Sequence, residues 1–265
     1  MAEIRLWPRE QTAALPPKNG RDAVCFLRLS RMLTQGVPLV LSDGASSVIA
    51  VSDPKTPAWV WTENGIDDES LDGVLLSLSI LREQGRLSGI VCKNSLARLL
   101  TLAFERELKS KKQLTVYRMQ ELTPFAAKGR CIPGRAVPAE LAGERLGEVA
   151  RADGVLLAPQ EQRDLGLAFA ADEHAYAWQL EDGTIATVAR LAPIGDRYVD
   201  IHSVGTTEPL RNHGYAKALL TVLCGQIRAD GKTPVLYANR AYPPSNAAYR
   251  ALGFTETGRL TALLF

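Results

Sequence analysis

Apolar residues recur along the chain at two spacings, one helical and one strand-like, and the order in which they alternate is informative. Residues 22–33, carrying Val24, Leu27 and Met32, are expected to form a helix. Residues 37–41 and 47–51 are apolar β-type runs joined across Ser42-Asp43-Gly44, a hairpin signal, and Ala58-Trp59-Val60-Trp61 reads as a third strand. Leu71, Val74, Leu75, Leu78 and Leu81 return to helical spacing, with Gly85 where a helix C-terminus favours glycine. A strand at 89–92 follows. Next comes a helix capped by Asn94, with Leu96, Leu99, Leu100, Ala103, Phe104 and Leu108 on its apolar face, and then a strand at 114–119.

Regular patterning lapses over 123–138, where Pro124, Gly129, Pro133, Gly134 and Pro138 argue against a continuous element. Beyond it, helical material spans 139–171 with a break around Asp153-Gly154. Strands are expected at 176–180, 184–191 and 198–204, the first two joined at Asp182-Gly183. A strong helix then carries Tyr215, Ala218, Leu219, Val222, Leu223 and Ile227 on one face and ends before Gly231. A strand at 235–238, a short helix capped by Ser245 and stopped at Gly253, and a strand at 260–265 close the chain. Both halves thus read helix, three strands, helix, strand, helix, strand. This order implies an α/β fold with a mixed sheet, combining antiparallel hairpins with parallel crossovers. One fold used twice is therefore expected, with domains at 1–117 and 118–265.

Composition adds limits rather than a function. The net charge is only +2 over 265 residues, which gives no general reason to expect nucleic acid or an anionic membrane as partner. No apolar run approaches the ~20 residues that span a bilayer, and the start, Met1 through Pro8, lacks the regions of a signal peptide, so a cytoplasmic protein is expected. Cys25, Cys92, Cys131 and Cys224 show no paired spacing, so neither a disulfide framework nor a metal site is expected.

Chemistry concentrates in two stretches. The first runs from Val204, Gly205 and Thr206 through Arg211-Asn212-His213-Gly214-Tyr215-Ala216, from a strand end into the start of the amphipathic helix. A helix N-terminus offers unpaired N–H groups and a positive dipole end, Gly214 allows close backbone approach, and Arg211 adds a permanent cation, a combination suited to phosphate. The second stretch is Ser245 through Phe254, in which Asn246 and Tyr249 are three apart and share a helical face. Taken in order, the two resemble the GNAT superfamily of N-acetyltransferases over about residues 118–265. Arg211 to Ala216 matches that family's Arg/Gln-x-x-Gly-x-Gly/Ala pyrophosphate loop, and Ser245 to Phe254 is similar to its closing motif.

The resemblance implies a GNAT fold in tandem, and transfer of an acetyl group from acetyl-CoA to an amine acceptor without a metal. It implies that Val204, Gly205 and Thr206 offer backbone groups to the pantetheine arm, that residues 211–216 hold the pyrophosphate, and that Tyr249 protonates the departing thiolate. Many relatives carry asparagine seven positions before that tyrosine. Here the position is Tyr242, with Asn239 and Asn246 out of register, so Asn246 is the remaining cofactor-binding candidate on the closing helix. The base stays open among Asp200, His202 and water, with Glu173 and His174 behind them; Asp200 and His202 alternate onto one strand face.

In the first half the corresponding loop reads Thr62-Glu63-Asn64-Gly65-Ile66-Asp67-Asp68-Glu69, four carboxylates where a pyrophosphate would sit. Such acids instead stabilise a helix N-terminus, so this half is expected to be degenerate and without cofactor, shaping the acceptor side or forming a homodimer. The rival reading is a non-catalytic acyl-CoA sensor, and a longer acyl chain is a further alternative.

Overall fold

In the computed structural model, residues 4–18, 20–152 and 155–265 are described. The start Met1 to Glu3 and the expected break at Asp153-Gly154 lie outside the described residues.

The first series of elements is β1 (Arg5–Leu6), α1 (Gly20–Cys25), α2 (Leu27–Gln35), β2 (Leu39–Ser42), β3 (Ser47–Val51), β4 (Ala58–Thr62), α3 (Asp68–Glu83), β5 (Gly89–Lys93), α4 (Asn94–Ala103) and β6 (Ser110–Met119). The second is β7 (Arg130–Pro133), α5 (Ala139–Ala152), α6 (Pro159–Ala171), β8 (Ala175–Gln179), β9 (Ile185–Ile194), β10 (Tyr198–Thr206), α7 (Tyr215–Ala229), β11 (Thr233–Asn239), α8 (Pro243–Ala251) and β12 (Phe254–Leu264). Leaving 3-10 turns aside, the two series repeat element for element.

Four details differ from the sequence pattern. The helix expected at 22–33 is divided at Phe26, which leaves the helical region at φ −110° and ψ 30°. Asn94 lies inside α4 rather than capping it; its carboxamide oxygen accepts from Thr261 Oγ1 at 2.7 Å, and the capping position falls to Lys93 without a side-chain bond. Ser245 likewise sits inside α8, which starts at Pro243, a residue suited to a first helical turn. Finally, the stretch 123–138 contains a strand, β7, antiparallel to β8 at the sheet edge, where Pro133 is tolerated.

The chain divides into two compact units. Unit 1 comprises residues 1–116, 238–243 and 256–265; unit 2 comprises 117–237 and 244–255. In unit 1 the strands run β1-β2-β3-β4-β5-β12. Leu260 to Leu264 of β12 pair antiparallel with Lys93 to Gly89, so this unit's sheet receives the last strand of the chain. Its core joins Ile49, Val60, Val74, Leu78, Ile90 and Leu100 to Leu263.

In unit 2 the order is β11-β10-β9-β8-β7. One sheet face carries α5 and α6, over a cluster of Ile132, Leu146, Phe169, Ala177 and Val188. The other carries α7, whose Ala218, Leu219 and Leu223 pack on Trp178, Ala186 and Ala189.

Candidate functional site

The parallel ladder between β10 and β11 covers only Tyr198↔Thr233 to Ile201↔Leu236, although β10 continues to Thr206. On its other side, the β9–β10 register shifts between His202 and Gly205. Ser203 adopts φ +53° at this irregularity, a left-handed conformation rare for serine. Ser203 and Val204 therefore have no register partner on β9 or β11, as at a β-bulge. Pairing resumes with Gly205↔Val188 and Thr206↔Thr187, where the two threonine hydroxyls are 2.8 Å apart.

The loop beyond is built to enter α7 abruptly. Asn212 (φ +67°) and Gly214 (φ +81°) turn the chain, and α7 begins at Tyr215 with no side-chain cap and no acid in its first turn. Its leading N–H groups have no intrahelical acceptor, so the positive end of the helix is presented bare. Glycine is required at 214 twice over. Its φ is positive, and a Cβ there would collide with the Phe125 ring, which also lies under Lys217 Nζ at 3.7 Å. Arg211 Nε donates to the Thr206 carbonyl at 3.1 Å, fixing the guanidinium to the end of β10. His213 Nδ1 approaches the Arg211 carbonyl at 2.8 Å, and its ring stacks on Tyr215. Residues 211–216 and Thr206 are thus drawn into one turn.

Asp200 and His202 pair opposite Ala192 and Arg190, so both project from the same face of β10, which is the α5/α6 face. Asp200 is 2% exposed; His202 is half-buried, with Nδ1 3.1 Å from Ser203 Oγ. Glu173 and His174 lie between α6 and β8, beside the Arg190–Asp172 ion pair at 2.6 Å. There burial raises the Asp172 carboxyl. The His174 N–H, the two Arg190 bonds and the nearby positive charges outweigh burial and hold it below the usual range.

Tyr249 and Asn246 lie on α8 and meet at Tyr117, a buried residue without a sequence signal. The Tyr117 hydroxyl donates to Asn246 Oδ1 at 3.0 Å and accepts from Arg250 Nη1 at 3.1 Å. The rings of Tyr117 and Tyr249 are 6.0 Å apart, and Tyr249 meets Phe254 edge-on at 6.1 Å. Asn246 is 5% exposed, so much of its side chain serves the interior. Tyr242 is exposed, with its backbone N–H donated to the Asn239 carbonyl.

Unit 1 repeats the strand separation without the loop. The β4–β5 parallel ladder holds only Ala58↔Ile90 and Trp59↔Val91. Beyond it, Lys93 pairs with Asp22 and donates to Asn64 at 2.9 Å, and Trp61 Nε1 donates to Asp22 at 2.9 Å. At the start of α3, Asp67 accepts from the Ser70 N–H at 2.8 Å. Asp67 here caps the helix, whereas α7 has no side-chain cap.

Burial pushes all four thiols up, Cys25 and Cys131 to about 11 and Cys92 and Cys224 to about 12. Among the described residues no group of three or more His, Cys, Asp or Glu is placed to hold a metal, and no helix is long and apolar enough to cross a membrane.

Residues 145–254 match the acetyltransferase (GNAT) family model. Over the whole chain, the structure is similar to a GCN5-related N-acetyltransferase from Sphaerobacter thermophilus (16% identity, TM-score 0.64, covering 98% of this chain and 94% of that one). It is also similar to a GNAT-family acetyltransferase from Colwellia psychrerythraea (12% identity, TM-score 0.57, 99% of each chain). A tandem GNAT protein from the clavulanic acid biosynthesis pathway aligns at 12% identity and TM-score 0.61, over 98% and 97% of the two chains. No curated protein matches significantly. Residues 145–254 thus carry the match to the acetyltransferase (GNAT) family model, and the fold of the chain is similar to that of these GNAT structures.

Proposed function

We propose that the protein transfers the acetyl group of acetyl-CoA directly to a primary amine. The observation that carries this reading is the bare N-terminus of α7 behind Arg211, Asn212 and Gly214, joined to the point where β10 leaves β11. Residues 211–216 would hold the pyrophosphate on backbone N–H groups and the Arg211 cation. The pantetheine arm would lie along Val204, Gly205 and Thr206, whose backbone faces the separated strands, and a backbone N–H near Val204 would polarise the thioester carbonyl. The first half, with Lys93, Asp22, Trp61 and Asn64 filling its own strand separation, takes no cofactor.

The chemistry follows from these placements. The acceptor nitrogen forms a C–N bond to the thioester carbon, and the C–S bond breaks. The sulfur takes a proton from the Tyr249 hydroxyl, and the amine gives up a proton to His202 or to water on the α5 face. Asp200, at 2% exposure, is out of an acceptor's reach and lies behind His202 on the same face. A free thiol titrates near ~8.5, so its anion leaves readily, and Tyr249 accelerates the step without being indispensable. Asn246 serves this reading mainly by holding α8 to Tyr117.

The test is thiol release from acetyl-CoA across a panel of primary amines. Amine-dependent release, reduced about tenfold to a hundredfold in Tyr249→Phe, is expected. Tight acetyl-CoA binding with no amine-dependent release would favour the acyl-CoA sensor, and faster turnover of a longer acyl-CoA would replace acetyl as the transferred group.

A further inference from the structure

On the α5 face of β10, the helix lies flush against the strand: a Cβ on Gly205 would collide with Val149 and come within 3.9 Å of the Arg145 carbonyl. Thr207, next on this face, donates from Oγ1 to Glu148 Oε1 at 3.1 Å, and Arg145 Nη1 donates to the same oxygen at 3.1 Å. One turn of α5 thus brings an ion pair to the strand end, on the face that also carries His202. Only half of that pair is used internally. Glu148 Oε2 and Arg145 Nε are both buried with no hydrogen-bond partner among the described residues. Burying a charged acceptor and a charged donor unmatched is unfavourable, and the two atoms are complementary in sign. A ligand that satisfies both brings a cationic donor and, beside it, an oxygen acceptor.

We infer that Glu148 holds the ammonium group of the acceptor and Arg145 the carbonyl or carboxylate oxygen next to it. The acceptor class is then an α-amino acid or the amino terminus of a peptide, not a simple alkylamine. Thr207 orients Glu148 for this and ties the acceptor pocket to the loop that starts at β10. The inference rests on the acetyl-transfer reading above and adds the substrate class to it.

The experiment titrates the protein first with acetyl-CoA and then, saturated with CoA, with matched acceptors: phenylalanine amide against phenethylamine, and alanine amide against ethylamine. Each pair shares its amine and differs by the carbonyl group. Expected are at least tenfold tighter binding of one amide than of its partner amine, and at least tenfold weaker amide binding in Glu148→Gln. In Arg145→Lys the preference within the pair should fall to within about twofold. The acetyl-CoA Kd of both variants should stay within about twofold of the parent. Arg145→Lys retains the ion pair and carries the test if Glu148→Gln melts early. Equal binding of each pair, binding of no acceptor, or variants that weaken acetyl-CoA while sparing the amide would overturn the inference while leaving acetyl-CoA binding intact in the parent. Failure of the parent to bind acetyl-CoA would overturn the transfer reading and this inference with it.

Discussion

Gly214 combines two requirements that no other residue meets, a left-handed φ and the space taken by the Phe125 ring. Gly214→Ala is expected to cost about 1–3 kcal/mol through backbone strain and displacement of that ring, read as a lower Tm together with weaker acetyl-CoA binding. Arg211 and Gly214 were legible in the sequence because the loop motif has a fixed spacing and opens an amphipathic helix. Phe125, Thr207, Glu148 and Tyr117 were not. Each acts through a partner between 59 and 129 residues away in the chain, or, for Phe125, through the space it fills beside Gly214, and no local pattern marks such a residue. Asp200 shows the converse: alternation placed it correctly on one face with His202, but only the fold reveals that it is buried there.

At the scale of elements, the long helices and central strands were readable because each buries one regular face against one core. What escaped depends on partners rather than on pattern. The four-residue edge strand β7 is too short and too rich in turn residues to signal itself, and Asn94 gave up its capping role to a bond with Thr261. The irregularity of β10 at Ser203 left no trace in composition either, although it lies beside Val204, on which the proposed carbonyl polarisation depends. The ion pair between the end of α6 and β9 offers a pH test. Asp172 is held below its unfolded value, near ~3.9, so its ion pair with Arg190 stabilises the fold above that value, and the contribution is lost as pH falls through the folded pKa. Asp172→Asn is therefore expected to lower Tm at pH 7 and to flatten its fall below about pH 4. A variant as acid-sensitive as the parent would contradict this.

Across the whole molecule, the repeated order of elements was visible in the sequence. The placement of β12 was not, because its apolar residues would suit a strand in either sheet. Its pairing with β5 brings Leu263 into the core of unit 1. Leu263→Ala is expected to cost about 2–5 kcal/mol, to speed amide hydrogen exchange in residues 89–93, and to leave the acetyl-CoA Kd within about twofold. Unchanged exchange in β5 would contradict that assignment.

In the proposed function, acetyl-CoA sits at the loop between β10 and α7. The direct measurement is calorimetric titration of acetyl-CoA into the protein and into Arg211→Glu, which reverses the charge at the bare end of α7 and removes its bond to the Thr206 carbonyl. One site per chain in the parent is predicted, with at least a tenfold weaker Kd in the variant, since a charge-assisted bond of roughly 1.5–3 kcal/mol is replaced by repulsion. Two sites per chain, no binding by the parent, or equal affinity in the two proteins would contradict it.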